Sequence, residues 1–283
     1  MTGKGKYENP EVYFHVGLGK VASKYLQYSV FPLFRNIRYI PTTRFYKCIP
    51  EIRKGKHPSY LVSREFDNQF EREVTRFAKE FPDAHPIMLL RRHDDWIASQ
   101  YRRSAKNGFT APFSEFINLQ DNTGKFNRES LDFFGKIELL EKLYKNKPLV
   151  LIYDDLLADR MAFLEKIASY CNATFDREKI PLKAKHTSYT EKQIRFMQWV
   201  SRYIPFKNPD YSRSGIIKFF QRIPVMLYRY SILYTAIIIP KRWLGSGPLI
   251  PPEELAKIRE ATRQDWEKCL DYLRKSEFVD LGR

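Results

Sequence analysis

Short apolar runs alternate with longer amphipathic stretches through roughly the first 175 residues. Val12–Val16, Arg38–Ile40, Tyr60–Ser63, Pro86–Leu90 and Leu149–Tyr153 read as strands, because they are brief, apolar and bounded by turn residues. Ser23–Phe34, Asp67–Phe81, Asp94–Lys106, Asn127–Tyr144 and a stretch from about Leu156 to Cys171 carry helical spacing, and Lys54–Pro58 reads as a polar loop. Strands that are apolar almost throughout, separated by helices, predict a parallel sheet covered on both faces. The expected architecture is a three-layer α/β sandwich with a parallel sheet of about four or five strands. After about Lys183 the alternation stops, and the rest reads as helical or irregular and proline-punctuated. Pro251–Lys275 reads as a final amphipathic helix, with Glu253 and Glu254 in its favourable first turn. The expected division is therefore a core over 1–182 and a helical C-terminal extension over 183–283.

Composition narrows the partners. Of 283 residues, 43% are hydrophobic and 29% charged, which excludes a disordered chain. The net charge of +16 favours a polyanion: nucleic acid, an anionic membrane or a multiply phosphorylated small molecule. Cys48, Cys171 and Cys269 are widely spaced, which suggests neither a disulfide framework nor a zinc site. The opening MTGKGKYENP lacks an apolar run and is not expected to be a signal peptide. Val225–Pro240 is the most membrane-like segment. It is shorter than the roughly 20 residues a spanning helix needs, and Arg229 interrupts it, so it reads as interfacial or buried.

Candidate chemistry gathers at two strand ends, where an open parallel sheet binds its ligands. After the first strand stands GLGKVASK, Gly17 to Lys24. Gly17 and Gly19 allow a tight turn and close approach, the helix from Ser23 offers free N–H groups, and Lys20 brings a mobile charge. After PIMLL comes RRHDDWIASQYRR, with Arg91 at the strand end and Ser99 eight residues on. Guanidinium groups grip phosphate in two-point fashion. Two anion sites at strand ends suggest a ligand carrying phosphate at two places. The nucleotide loop G-x-x-x-x-G-K-[ST] does not fit, since Val21 follows Lys20.

HVGLGKVASKYLQ resembles the 5′-phosphosulfate loop of sulfotransferases that use 3′-phosphoadenosine 5′-phosphosulfate, commonly G-x-P-K-[ST]-G-[ST]-[ST]-x-L. LLRRHDDWIASQYRR resembles their 3′-phosphate motif, and LVLIYDDLLADRMAFLEKIASYCN their later strand–helix unit, so the resemblance covers about Val12 to Thr174. Gly19, Val21, Ala22 and Lys24 depart from the usual loop residues, and His93 stands where proline is common. The resemblance implies a P-loop-like sheet and this donor, with no metal required. It implies that Gly17, Gly19, Lys20, Ala22, Ser23 and Lys24 form the 5′-side loop, that Lys20 acts on the leaving group, and that Arg91 and Ser99 hold the 3′-phosphate.

Transfer to a hydroxyl needs a base. Glu65, just past the YLVS strand, is the first choice, in a segment resembling the S-S-E of bacterial members; His57 is the alternative. His15 reads as structural, His85 and His93 as weaker choices, and His186 as a residue of the acceptor side. The acceptor is expected to be a small-molecule or lipid hydroxyl. Ser214–Leu244 interleaves Lys and Arg with aromatic and aliphatic residues, which suits an anionic membrane surface or the wall of an acceptor pocket. The expected setting is cytoplasmic, peripheral to the inner membrane surface. Two rivals stand beside this reading. One is a P-loop kinase or other nucleoside-triphosphate enzyme, with Asp154 as a Walker-B-like residue. The other is a non-catalytic basic module for nucleic acid or membrane, although no nucleic-acid recognition signature is visible and no specific nucleic acid is expected.

Overall fold

The structure, a computed structural model, describes residues 6–181, 189–204, 215–244 and 247–280. Among them the chain runs β1 (Glu11–Gly17), α1 (Ser23–Tyr25), β2 (Arg38–Ile40), α2 (Cys48–Arg53), β3 (Ser59–Ser63), α3 (Phe70–Glu80), β4 (His85–Leu90) and α4 (His93–Lys106). Then come α5 (Phe113–Phe116), β5 (Ile117–Asn118), β6 (Thr123–Gly124), α6 (Phe133–Leu143), β7 (Leu149–Ile152), α7 (Tyr153–Ala158) and α8 (Arg160–Tyr170). The last helices are α9 (Glu191–Tyr203), α10 (Gly215–Thr235), α11 (Pro252–Ala261) and α12 (Arg263–Asp280).

The central sheet has five strands in the order β2-β3-β1-β4-β7. Every pairing is parallel, with Glu11 opposite Ser59, Tyr13 opposite His85 and Ile87 opposite Leu149. Val12, Tyr13, Phe14, His15 and Val16 are all buried although successive side chains point to opposite faces, so both faces of β1 are covered. The same holds for Tyr60 to Ser63 and for Ile87 to Leu90. This is the three-layer α/β arrangement that the apolar strands imply. Because all five strands run the same way, the chain segments after Gly17, Ser63, Leu90 and Ile152 emerge at one edge of the sheet.

Several helices differ from their expected form, each for a local reason. The run from Ser23 is α-helical only to Tyr25, π-helical over Leu26–Val30 and 3-10 over Phe31–Leu33, where Pro32 has no N–H to continue the α pattern. The helix expected from Leu156 to Cys171 breaks at Asp159, whose extended backbone and side chain cap α8 through the Ala162 N–H. The helix expected from Asn127 starts only at Phe133, where the Asp132 carboxylate accepts the Gly135 N–H.

The chain divides into two compact units, and not at residue 182. The first comprises Met1–Arg92, Glu129–Lys185 and Thr262–Arg283; the second comprises His93–Arg128 and His186–Ala261. Within the first, α12 returns to α6: the Asp265 carboxylate accepts the Phe133 and Phe134 N–H groups at 3.1 Å each, and Tyr272 donates to Glu141 at 2.8 Å. Within the second, α4 packs with α9 and α11. Gln198 donates to the Tyr101 hydroxyl at 3.1 Å, and Arg259 reaches the buried Asp94 carboxylate at 2.7 Å. The expected 183–283 extension is thus split. Its last helix belongs to the sheet unit, and α4, expected in the core, belongs with the C-terminal helices.

Candidate functional site

The loop after β1 is built from backbone in unusual conformations. Gly17, Lys20 and Ala22 have φ of +100°, +68° and +66°, the left-handed region that side chains with a Cβ rarely enter. Turns that mix left- and right-handed residues point successive N–H groups to one side and form anion-binding concavities. Ala22 then opens α1, with Tyr25 N–H and Leu26 N–H donating to its carbonyl at 2.8 and 3.2 Å. The Ser23 and Lys24 N–H groups, which precede these, have no intrahelical acceptor and suit a ligand. Leu18 N–H donates to the Leu89 carbonyl at 3.2 Å, which ties the loop to β4.

The segment after β3 runs against this loop. Arg64 N–H donates to the His15 carbonyl and Phe66 N–H to the Val16 carbonyl, so the chain continues beside β1 past the end of the sheet. A Cβ on Gly17 would come within 3.1 Å of the Glu65 Cα and the Phe66 N, so glycine is required there by both torsion and space. Glu65, half-buried, therefore stands directly beside the loop. Asp67 comes closer still: its carboxylate accepts the Gly19 N–H at 3.2 Å, and a Cβ on Gly19 would lie 2.8 Å from its Oδ1. Sequence reasoning passed over Asp67. The signal was available, since Asp67-Asn68 follows Glu65 by two residues at the same strand end and starts the turn into α3.

Arg91 follows β4 at this edge. Its guanidinium lies 4.8 Å over the Tyr153 ring, at the end of β7. Its Nε is buried and has no hydrogen-bond partner among the described residues. A buried donor of this kind is costly unless a ligand supplies the acceptor.

The remaining candidates fall in several places. Ser23 is buried, and its hydroxyl donates to the Leu18 carbonyl at 2.7 Å. That proton braces the loop, so what Ser23 can offer an anion is its amide. Lys24 is exposed and Lys20 half-buried. Ser99 sits on α4 in the second unit, half-buried. His57 does not fit the role of base. It lies exposed two residues before Ser59, which pairs with Glu11 at the amino end of β1 and β3. Six residues of strand, roughly 20 Å, separate that edge from Gly17. His15 is fully buried inside β1, with Nδ1 2.7 Å from Ser63 Oγ, and burial pushes its imidazole down to about 3. His85 opens β4 at the amino edge, stacked on Tyr13 at 4.8 Å. Asp154 is exposed in the first turn of α7. His186 lies outside the described residues. Among the described residues no group of His, Cys, Asp and Glu could hold a metal ion, and no helix is long and apolar enough to cross a membrane.

No family model matches the chain, and no curated protein sequence matches it. Solved structures similar to it include two sulfotransferases. A sulfotransferase from Alicyclobacillus acidocaldarius aligns with a TM-score of 0.48 at 13% identity, covering 69% of this chain and 91% of that one. Mouse sulfotransferase SULT7A1, complexed with PAP, aligns with a TM-score of 0.42 at 12% identity, covering 84% and 88%.

Proposed function

We propose that this protein is a sulfotransferase that moves a sulfuryl group from 3′-phosphoadenosine 5′-phosphosulfate to a hydroxyl acceptor. The observation that carries the reading is the convergence, at one edge of the sheet, of the left-handed Gly/Lys loop and an arginine whose buried Nε lacks an acceptor. One is a cradle of amides beside a mobile ammonium; the other is a fixed guanidinium held by an aromatic ring. Together they suit an anion with phosphate at both ends, as the two loop motifs imply.

In this reading the amides from Lys20 to Lys24 hold the 5′-phosphate, and Arg91 holds the 3′-phosphate. Ser99 is assigned to that phosphate by the motif alone. The donor supplies the activated sulfuryl group. Lys20 neutralises charge that grows on the phosphate oxygen as its bond to sulfur breaks, an electrostatic role that needs no proton transfer. Glu65 accepts the proton of the acceptor hydroxyl as its oxygen bonds to sulfur. Asp67 fixes the loop through the Gly19 amide. The acceptor is a hydroxyl on a lipid or other amphiphile, a class supported by the apolar and basic composition of 215–244. Three buried, unpaired thiols suit a reducing, cytoplasmic setting.

Titration calorimetry of the whole protein with adenosine 3′,5′-bisphosphate tests the donor site. Saturable binding without added metal is the expected result, together with transfer of label from sulfur-35 donor to an extractable hydroxyl compound. Preference for ATP with magnesium over the bisphosphate would overturn the reading in favour of a nucleoside-triphosphate enzyme.

A further inference from the structure

The second unit exposes apolar side chains in an ordered row. Along α10, Phe220, Ile223, Leu227, Tyr230 and Tyr234 are 64%, 37%, 66%, 40% and 59% exposed. Their spacing of three and four residues places them on one helical face. The side that packs against α9 is a different one: Tyr228, Ile232 and Leu233 join Phe196, Met197 and Ala236 in a small core, and Gln193 donates to the Leu233 carbonyl at 3.1 Å. Apolar exposure continues on both flanks, with Trp199, Tyr203 and Ile204 at the end of α9 and Ile237, Ile238 and Trp243 after α10. A row of exposed apolar side chains of this kind marks an interaction site.

Charge identifies what covers it. From Tyr211 to Pro252 the chain has no Asp or Glu, while Arg213, Lys218, Arg222, Arg229, Lys241 and Arg242 are all basic. Arg222 and Arg229, seven residues apart, fall outside the apolar row, toward the side of α10 that carries Tyr228 and Ile232. An amphipathic helix with an apolar face, a basic face and flanking Trp and Tyr is the form that lies in the plane of an anionic bilayer surface. A second copy of the chain is a poor occupant. A two-fold interface sets a surface against itself, and the stretch from Tyr211 to Pro252 offers no acidic residue to pair with its own basic ones across such an interface.

We propose that α10 and the residues after it form a membrane-docking surface, with the Phe220–Tyr234 face in the headgroup–acyl boundary of an anionic bilayer. Docking of this kind is peripheral, since no helix among the described residues is long and apolar enough to span. The proposal adds a place of action to the function proposed above, and it stands or falls separately from donor binding.

Flotation of the full chain with vesicles tests it. Phosphatidylcholine vesicles containing about 30% phosphatidylglycerol are expected to carry the protein, and pure phosphatidylcholine vesicles to carry at least about tenfold less. Phe220→Ser combined with Leu227→Ser should reduce flotation at least about tenfold while leaving the melting temperature and bisphosphate binding unchanged, because both side chains are exposed. Arg222→Glu with Arg242→Glu should reduce binding to the anionic vesicles only, by about fivefold or more per charge. Absence of flotation, or flotation indifferent to the serine changes, overturns the proposal. So does lipid-free dimerisation in sedimentation equilibrium that the serine changes abolish. Failure of bisphosphate binding with vesicle binding intact would instead strike only the donor site.

Discussion

Phe14 and Phe220 are the same residue in opposite situations. Phe14 sits in β1 with no exposed surface, its ring stacked 4.0 Å from Phe77 and flanked by Phe45 and Phe66 at 6.0 Å. Phe220 sits on α10 with 64% of its surface exposed, near Phe219 alone among aromatic rings at 5.7 Å among the described contacts. Hydrophobicity by itself cannot separate the two. What separates them is whether the neighbouring apolar residues close around the ring from both sides. The strand is enclosed by helices, and the candidate loop follows its end. The helix is covered on the α9 side and offers the other side outward. In the readings proposed above, the first region would depend on single atoms in fixed places, and the second would share its affinity over many side chains.

The sharpest way to break this contrast is to truncate both rings. Phe14→Ala should destabilise the protein by about 3–5 kcal/mol, the usual cost of emptying an enclosed aromatic site. Phe220→Ala should stay within about 0.5 kcal/mol, as for an exposed surface position. Urea denaturation of both variants measures it. Similar losses in the two would mean that the α10 face is covered in the folded chain.

The next effect belongs to the loop. Lys20→Ala should lower transfer by about 10²–10³-fold, as removal of a charge-stabilising group does. In the proposed role the ammonium acts on charge that develops only during transfer, so binding of adenosine 3′,5′-bisphosphate should change little. A parallel loss of both would make Lys20 a simple binding residue.

Arg91→Ala should act the other way and weaken bisphosphate binding itself. A hydrogen bond to a charged group is worth about 1.5–3 kcal/mol, or about 10- to 150-fold in affinity. Calorimetry on the two variants separates the roles. An unchanged affinity in Arg91→Ala would remove the arginine from the site despite its buried Nε.

Much of the site edge was legible because parallel strands share a direction. Once Val12–Val16, Tyr60–Ser63 and Pro86–Leu90 are read as parallel strands, Lys20, Glu65 and Arg91 must emerge at one edge, and they do. The same rule puts His57 at the other edge, since it precedes its strand. Ser23 was legible as a loop residue but not in its bonding. A hydroxyl five residues from a carbonyl gives no sign that it will donate there rather than outward. Asp67 stands at the same strand end as Glu65 and was legible in position, but not in its bond to Gly19, which joins residues 48 apart in sequence. The division into units was missed for the same kind of reason. Asp265 caps α6 from more than a hundred residues away, and no local pattern announces such a return.

Gly17→Ala tests the tightest point of the cradle. A side chain there must adopt φ near +100° and meet the Glu65 Cα and the Phe66 N at 3.1 Å. The expected cost is about 1–3 kcal/mol, the range for one residue held in a sparsely populated conformation. Thermal denaturation would show it, and transfer should fall with it because Glu65 is displaced. A variant as stable and as active as the parent would mean that the loop relaxes freely, against its description as a fixed cradle.

The smallest effect sets the enclosed strand against the open helix by pH. His15 is wholly buried, with Ser63 Oγ at Nδ1, Gln27 donating to the same oxygen at 3.1 Å and the Phe31 ring 5.4 Å away. Burial without a charged partner lowers its pKa from 6.5 to about 3. Between these values the unfolded chain binds a proton that the folded chain does not, so stability falls as pH drops below about 6.5. At pH 5.5 the loss from this group is about 1.4 kcal/mol relative to pH 7.5. The α9–α10 region has no histidine to titrate in this window, since every histidine precedes residue 187. Urea midpoints at the two pH values, for the parent chain and for His15→Gln, isolate the term. The variant should lose stability at both pH values yet lack this part of the slope. An identical slope in the two chains would mean that His15 is protonated in the folded state, and that β1 is less enclosed than its buried side chains indicate.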